Sequence, residues 1–197
     1  ADIGMAMSVL AQQWHAEHGI LGISTKAGPY LHWVLSCAAT ALNIPTLKMR
    51  PGQGIYENLT VAGPEDPSRF GRNIVFDHNS LAGERSTVSD SGGGFNAFVS
   101  ALTRNPRALN RVILTSGSTG RSKAVPITSE ILLRRKALHL ERVDLTDQDY
   151  VLATVGNDTA GGYCYPIYAL LSGACILLPP SNRLQAADAM HLWRRLV

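Results

Sequence analysis

Several absences narrow the possibilities before any motif is read. No apolar run reaches the roughly 18 to 20 residues that a membrane-spanning helix needs; the longest, Ile167 to Pro179, is interrupted by Ser172 and Gly173. No secretory signal stands at the start. Cysteine is scarce. Cys37, Cys164 and Cys175 lie far apart, show no C-x-x-C spacing and are odd in number, which argues against a full disulfide framework and for a reducing cytoplasm. The six histidines are equally dispersed, so zinc-ligand spacing is missing and no protein-built metal site is expected. A strong charge excess is lacking too. The formal net charge is +3, and the one tight basic run, Arg134-Arg135-Lys136, reads as a solvated helix face. Nucleic acid is therefore not an expected partner.

What remains is an ordinary globular composition, 45% hydrophobic and 17% charged over 197 residues, enough for one domain with a real core. Apolar spacing predicts helices over Ile3–Glu17, Tyr30–Ala41, Phe95–Leu102, Ile131–Leu140, Tyr163–Leu171 and Ala186–Val197. Short apolar runs predict strands at Ile20–Ser24, Ile44–Leu47, Asn73–Phe76, Arg111–Thr115, Tyr150–Val155 and Ala174–Leu178. Residues 48 to 72 show no clear period. The run Gly92-Gly93-Gly94 reads as a hinge or mobile connection. Alternating helices and continuously apolar strands imply an α/β domain with a mainly parallel sheet and flanking helices. Both ends fall inside or beside helical patterns, so the chain is expected to continue on either side.

The chemistry concentrates after one strand, in Val112-Ile113-Leu114-Thr115-Ser116-Gly117-Ser118-Thr119-Gly120-Arg121-Ser122-Lys123-Ala124-Val125-Pro126. Gly117 and Gly120 let the backbone approach a ligand. Successive N–H groups in such a turn form an anion-binding nest. Ser116, Ser118 and Thr119 add hydroxyl donors, and Lys123 adds a charge with three donors. These are parts for holding a polyphosphate. They do not make the common P-loop, which needs Gly before the lysine and Ser or Thr after it. Ser122 and Ala124 stand there instead.

Thr115 through Val125 resemble the phosphate-binding signature T-S-G-[ST]-T-G-x-x-K-[GA]-V of the adenylate-forming superfamily. That superfamily holds the acyl- and aryl-CoA synthetases, the luciferases and the adenylation domains of peptide synthetases. The resemblance implies that residues 1–197 are the N-terminal part of an AMP-binding domain. It implies attack of a carboxylate on the α-phosphate of ATP, with Mg²⁺ sharing the phosphate charge, and then transfer to coenzyme A or a carrier-protein thiol. It assigns phosphate binding to Thr115, Ser116, Gly117, Ser118, Thr119, Gly120 and Lys123, with Lys123 and Thr119 taking part in catalysis.

Departures accompany the match. Thr128-Ser129-Glu130-Ile131 stands where family members often carry His-x-Asn. In the turn Gly156-Asn157-Asp158-Thr159-Ala160-Gly161-Gly162, the residues Asn157, Asp158 and Gly161 fall at or beside the family's substrate-contact position. The alternative is an Asx turn that stabilises its own backbone. The family's aromatic-Gly-x-Thr-Glu motif, ribose-binding Asp and distal catalytic Lys are not in this sequence. The expected parent is an acyl- or aryl-CoA synthetase, with an amino-acid-activating domain or a non-catalytic nucleotide-binding module as alternatives. The chain alone is expected to be inactive and to self-associate through apolar surface.

Overall fold

A computed structural model of the protein describes residues 2–14, 19–23, 28–48, 60–62, 72–74, 93–115 and 123–178. In chain order these form α1 (Asp2–Gln13), β1 (Leu21–Ile23), α2 (Pro29–Ala41), β2 (Thr46–Lys48), β3 (Thr60–Ala62), β4 (Arg72–Ile74) and α3 (Gly93–Arg104). There follow β5 (Leu109–Thr115), β6 (Lys123–Thr128), α4 (Ser129–Leu140), β7 (Tyr150–Leu152), α5 (Ala160–Leu171) and β8 (Cys175–Leu177). The helix expected over 186–197 lies outside the described residues.

Six strands make one sheet in the order β4-β3-β1-β2-β5-β6. Its pairs are parallel except the last, where β6 returns antiparallel beside β5. A second sheet pairs β7 and β8 in parallel. The mainly parallel α/β architecture expected from the strand and helix pattern is therefore present.

Two strands escape sequence reading for identifiable reasons. β3 is three residues long, too short to show a period, and lies in the featureless 48–72 stretch. β6 contains Pro126, which reads as a breaker, yet β6 lies at the end of the sheet, where a missing N–H is tolerated.

Helix α2 organises the core. Every residue from Leu31 to Thr40 is buried, as expected for a helix apolar on most faces. One side packs with Met5, Leu10, Leu21 and Ile23 from α1 and β1. The other contributes Trp33 and Cys37 to a cluster with Phe98, Leu102, Ile113, Ile127, Tyr163 and Ile167. Burial pushes the Cys37 thiol up to about 12, so it is inert at neutral pH. The helix ends at Ala41 with Leu42 as its C-cap, and Asn43 follows in the left-handed conformation, φ 57°, before the chain enters β2.

The triple-glycine run resolves differently from the hinge reading. Gly92 lies outside the described residues, but Gly93 and Gly94 open α3. A Cβ on Gly94 would stand 2.6 Å from the Gly4 backbone nitrogen and 3.1 Å from its Cα. Glycine is there because two helix backbones touch. Gly94→Ala should destabilise the fold by about 1–3 kcal/mol through overpacking, although Ala normally favours a helix by about 1 kcal/mol. Gly4→Ala, whose added Cβ meets nothing within 4 Å, should be neutral or stabilising. Urea denaturation of the two variants checks the contrast.

Candidate active site

Strand β5 delivers the signature to the carboxyl end of the parallel sheet, where open α/β sheets bind ligands. Thr115 is its last residue and Lys123 the first of β6. The two are register partners across the antiparallel ladder, and the Thr115 hydroxyl lies 3.4 Å from the Lys123 carbonyl oxygen it donates to. Ser116, Gly117, Ser118, Thr119 and Gly120 lie outside the described residues, as do Arg121 and Ser122. The signature is thus carried by a hairpin whose base is fixed, with the Thr115 and Lys123 side chains exposed. Lys123 already belongs to the ladder.

A few residues back on the same strand sits a fully buried arginine. Arg111 is 0% exposed. Its Nη1 donates to the Thr46 hydroxyl at 3.1 Å, and its Nη2 reaches the His32 Nε2 at 3.1 Å and the Asn157 carbonyl at 3.0 Å. Its guanidinium carbon lies 5.0 Å from the centre of the Tyr163 ring, which stacks on Trp33 at 5.8 Å and 8°. Thr46 in turn donates to the Asn110 carbonyl at 3.0 Å. Asn110 donates to the Ser129 hydroxyl at 2.9 Å, joining the strand to the start of α4.

Lys48 closes the arrangement by donating to the Asn157 side-chain oxygen. Asn157 is thereby gripped twice from adjacent strands, its carbonyl by β5 and its side chain by β2. Its amide oxygen serves a lysine distant in sequence rather than the local backbone. The turn itself is capped by Thr159, whose hydroxyl accepts from the Gly162 N–H at 3.0 Å and donates to the Gly156 carbonyl at 2.9 Å. This is an N-cap for α5.

The electrostatics follow from burial. Burial lowers the Arg111 guanidinium to about 10, against the opposing pull of Tyr163 and Asp158. Burial also lowers Lys48, with Asp158 opposing and Arg111 adding to the effect. His32 is held well below the usual imidazole range by burial first, then by Arg111 and Lys48.

Beyond the turn, two adjacent cavities share His139, Gly161 and Tyr165. One, of about 320 Å³, is mostly apolar and reaches Val143, Val151 and Pro166. The other, of about 440 Å³, lies between α4 and α5 and adds Arg135, Arg142, Cys164 and Tyr168. His139, Tyr165 and Tyr168 pack mutually, with ring centres 4.9 to 5.8 Å apart. Of the residues expected near substrate, Gly161 lines both cavities, whereas Asn157 bonds Lys48 and Arg111 and Asp158 acts on both through its charge. Among the described residues no group of three or more His, Cys, Asp or Glu could hold a metal, and no helix is long and apolar enough to cross a membrane.

No local pattern in the sequence singles out Arg111, His32, Thr46 or Lys48. The one available signal was an arginine inside the apolar run before the signature. The others meet it only through the fold.

Two predictions follow from this geometry. The unfolded chain protonates His32 near about 6.5, whereas the folded chain keeps it neutral to well below that value. Over that window the unfolded state binds the extra proton. Stability present above pH about 6.5 is therefore lost as pH falls, at up to about 1.4 kcal/mol per pH unit. In His32→Gln, urea denaturation at about pH 5 and pH 7.5 should show a slope shallower by roughly one proton's contribution. The second concerns Gly162, where a Cβ would overlap the Gly156 carbonyl oxygen. Gly162→Ala should destabilise by about 1–3 kcal/mol. Gly161→Ala, which meets only the Tyr165 ring at 3.5 Å, should stay near wild type in thermal melts.

No family model matches the chain. Over 75 residues, 38% of the chain, it is 36% identical to malformin synthetase mlfA of Aspergillus vadensis, of which that stretch is 2%. ATP-bound MatB from Rhodopseudomonas palustris superposes with a TM-score of 0.67 at 17% identity, over 98% of this chain and 41% of that one. The NpsA N-terminal subdomain of Klebsiella oxytoca, in complex with 3-hydroxyanthranilyl-AMSN, gives 0.68 at 19% identity, over 99% and 48%. VinN in complex with L-aspartate gives 0.64 at 14% identity, over 90% and 53%. The chain thus spans about half or less of the solved structures it matches. Its fold is that of the N-terminal part of the adenylate-forming enzymes, the superfamily whose signature Thr115–Val125 resembles.

Proposed function

We propose that this chain is the N-terminal portion of an ATP-dependent ligase that activates a carboxylic acid as its acyl-adenylate. The observation that carries the reading is the fixed hairpin base: Thr115 and Lys123 face each other at the carboxyl end of the sheet, with the remainder of the signature between them. In this reading residues 116–122 surround the β- and γ-phosphates of ATP. Lys123 is exposed at the loop's exit and supplies positive charge as pyrophosphate departs. Such catalysis is mostly positioning and charge stabilisation. Mg²⁺ would arrive with the phosphates and share their charge.

The organic part of the acid is assigned to the paired cavities beside Gly161. Their volumes suit a small acid, and their aromatic and cationic walls suit a ring or an extra polar group. The thiol acceptor is coenzyme A or a carrier protein. A second reading, activation of an amino acid, is favoured by the 36% identity to a malformin synthetase.

The phosphate assignment is tested by NMR titration of the 197-residue chain with ATP, GTP and pyrophosphate. Two or three charge-assisted hydrogen bonds, at roughly 1.5 to 3 kcal/mol each, correspond to affinity near the millimolar range. Binding should scarcely distinguish ATP from GTP, should fade with salt, and should weaken in Lys123→Ala more than in Arg121→Ala. Tight, adenine-selective binding indifferent to Lys123→Ala would contradict it. ATP–pyrophosphate exchange with a carboxylate panel should give no signal for this chain by itself, because the Thr-Glu motif and distal lysine are not in its sequence.

A further inference from the structure

The buried cation under the turn has a geometry that a purely space-filling residue would not need. Arg111 directs its donors to three elements at once: Thr46 on β2, His32 on α2 and the backbone carbonyl of Asn157. A guanidinium only donates hydrogen bonds. His32 Nε2 must therefore accept, which places the imidazole proton on Nδ1. Burial and the two nearby cations keep the ring neutral and able to accept. Its Nδ1 has no partner among the described residues, where the ring's one hydrogen bond is the one to Arg111. Asp158, Tyr163 and Lys48 are the other titratable groups facing this cluster.

We infer that Arg111 is a positioning residue. It fastens the 156–159 turn to the strand that carries the signature loop, with neutral His32 as its orienting acceptor and Lys48 as a second, weaker anchor on the same turn. The carbonyl of Asn157 is a backbone group, so its placement is dictated by Arg111 and not by the side chain at 157. A shift at the end of β5 is then transmitted to the turn that opens onto the cavities at Gly161. The functional meaning of this coupling, phosphate site to acid site, rests on the reading proposed above. The physical coupling does not.

The experiment uses the 197-residue chain as wild type, Arg111→Met, Arg111→Lys and Lys48→Met. Hydrogen exchange is read at the Thr159 and Gly162 amides, whose bonds close the turn, against the amides of α2 as an internal reference. In Arg111→Met the turn amides should exchange at least about tenfold faster while α2 keeps its protection. Arg111→Lys, one donor group in place of a fork, should recover part of that protection, and Lys48→Met should lose less than Arg111→Met. The ¹⁵N shifts of His32 should report the Nδ1–H tautomer in wild type and a mixed population in Arg111→Met. Turn protection unchanged in both Arg111 variants would overturn the proposal. So would loss of protection spread evenly over α2 and the turn, since that is what a merely structural residue gives. Should Arg111→Met not fold, Arg111→Lys decides, and turn protection equal to wild type in that variant would count against it. Pyrophosphate is the probe for the functional half. In wild type the turn amides should move with the same midpoint as those of Thr115 and Lys123, and in Arg111→Lys the loop should respond while the turn lags. If pyrophosphate moves no amide in wild type, the phosphate reading fails, and the exchange data alone still judge Arg111.

Discussion

A guanidinium inside a parallel sheet constrains everything near it. An unpaired buried charge costs several kcal/mol, and removing one partner of a buried charged group typically costs about 3–5 kcal/mol. Arg111 is 0% exposed, so its donors must be met from whatever the fold brings within reach. That requirement explains the register of β2 against β5, which puts Thr46 opposite Arg111. It explains a histidine on a helix that is otherwise apolar on most faces. The chain after β7 returns to the main sheet at Asn157, whose carbonyl accepts from Nη2, while the guanidinium Nε has no partner among the described residues.

How much of this could be read beforehand depends on the range of the forces involved. The α2 helix is legible because Trp33, Val34, Cys37 and Ala38 carry its spacing locally, and β5 is legible because an apolar run stops at Thr115. The phosphate loop is legible because its chemistry is written in consecutive residues. The network is not, since His32, Thr46 and Asn157 each lie dozens of positions from Arg111 and share no local pattern with it. Gly94 shows the same limit from another side. A glycine run reads as freedom, and only the neighbouring helix shows that Gly94 is a contact. Likewise Asn157 looks like a turn former, while its side chain answers to Lys48.

The two regions expected to meet substrates are built in different ways. The described ends of the signature, Thr115 and Lys123, are both exposed. The 156–162 turn is anchored by two strands, an N-cap and a glycine that admits no Cβ. A turn held this way selects by shape. The aromatic trio of His139, Tyr165 and Tyr168 extends that firm wall along α5.

Strand β6 has a second consequence that concerns the molecule's neighbours. It ends the sheet among the described strands, and from Lys123 to Pro126 its residues are exposed. An open edge of this kind offers its hydrogen-bonding groups to any passing strand, including that of another copy. Pro126 removes one donor from that edge, and Lys123 places a charge at its tip. A lysine suited to polyphosphate thus also repels a second copy of the same edge, so its replacement by an apolar residue would expose the sheet to edge-to-edge aggregation.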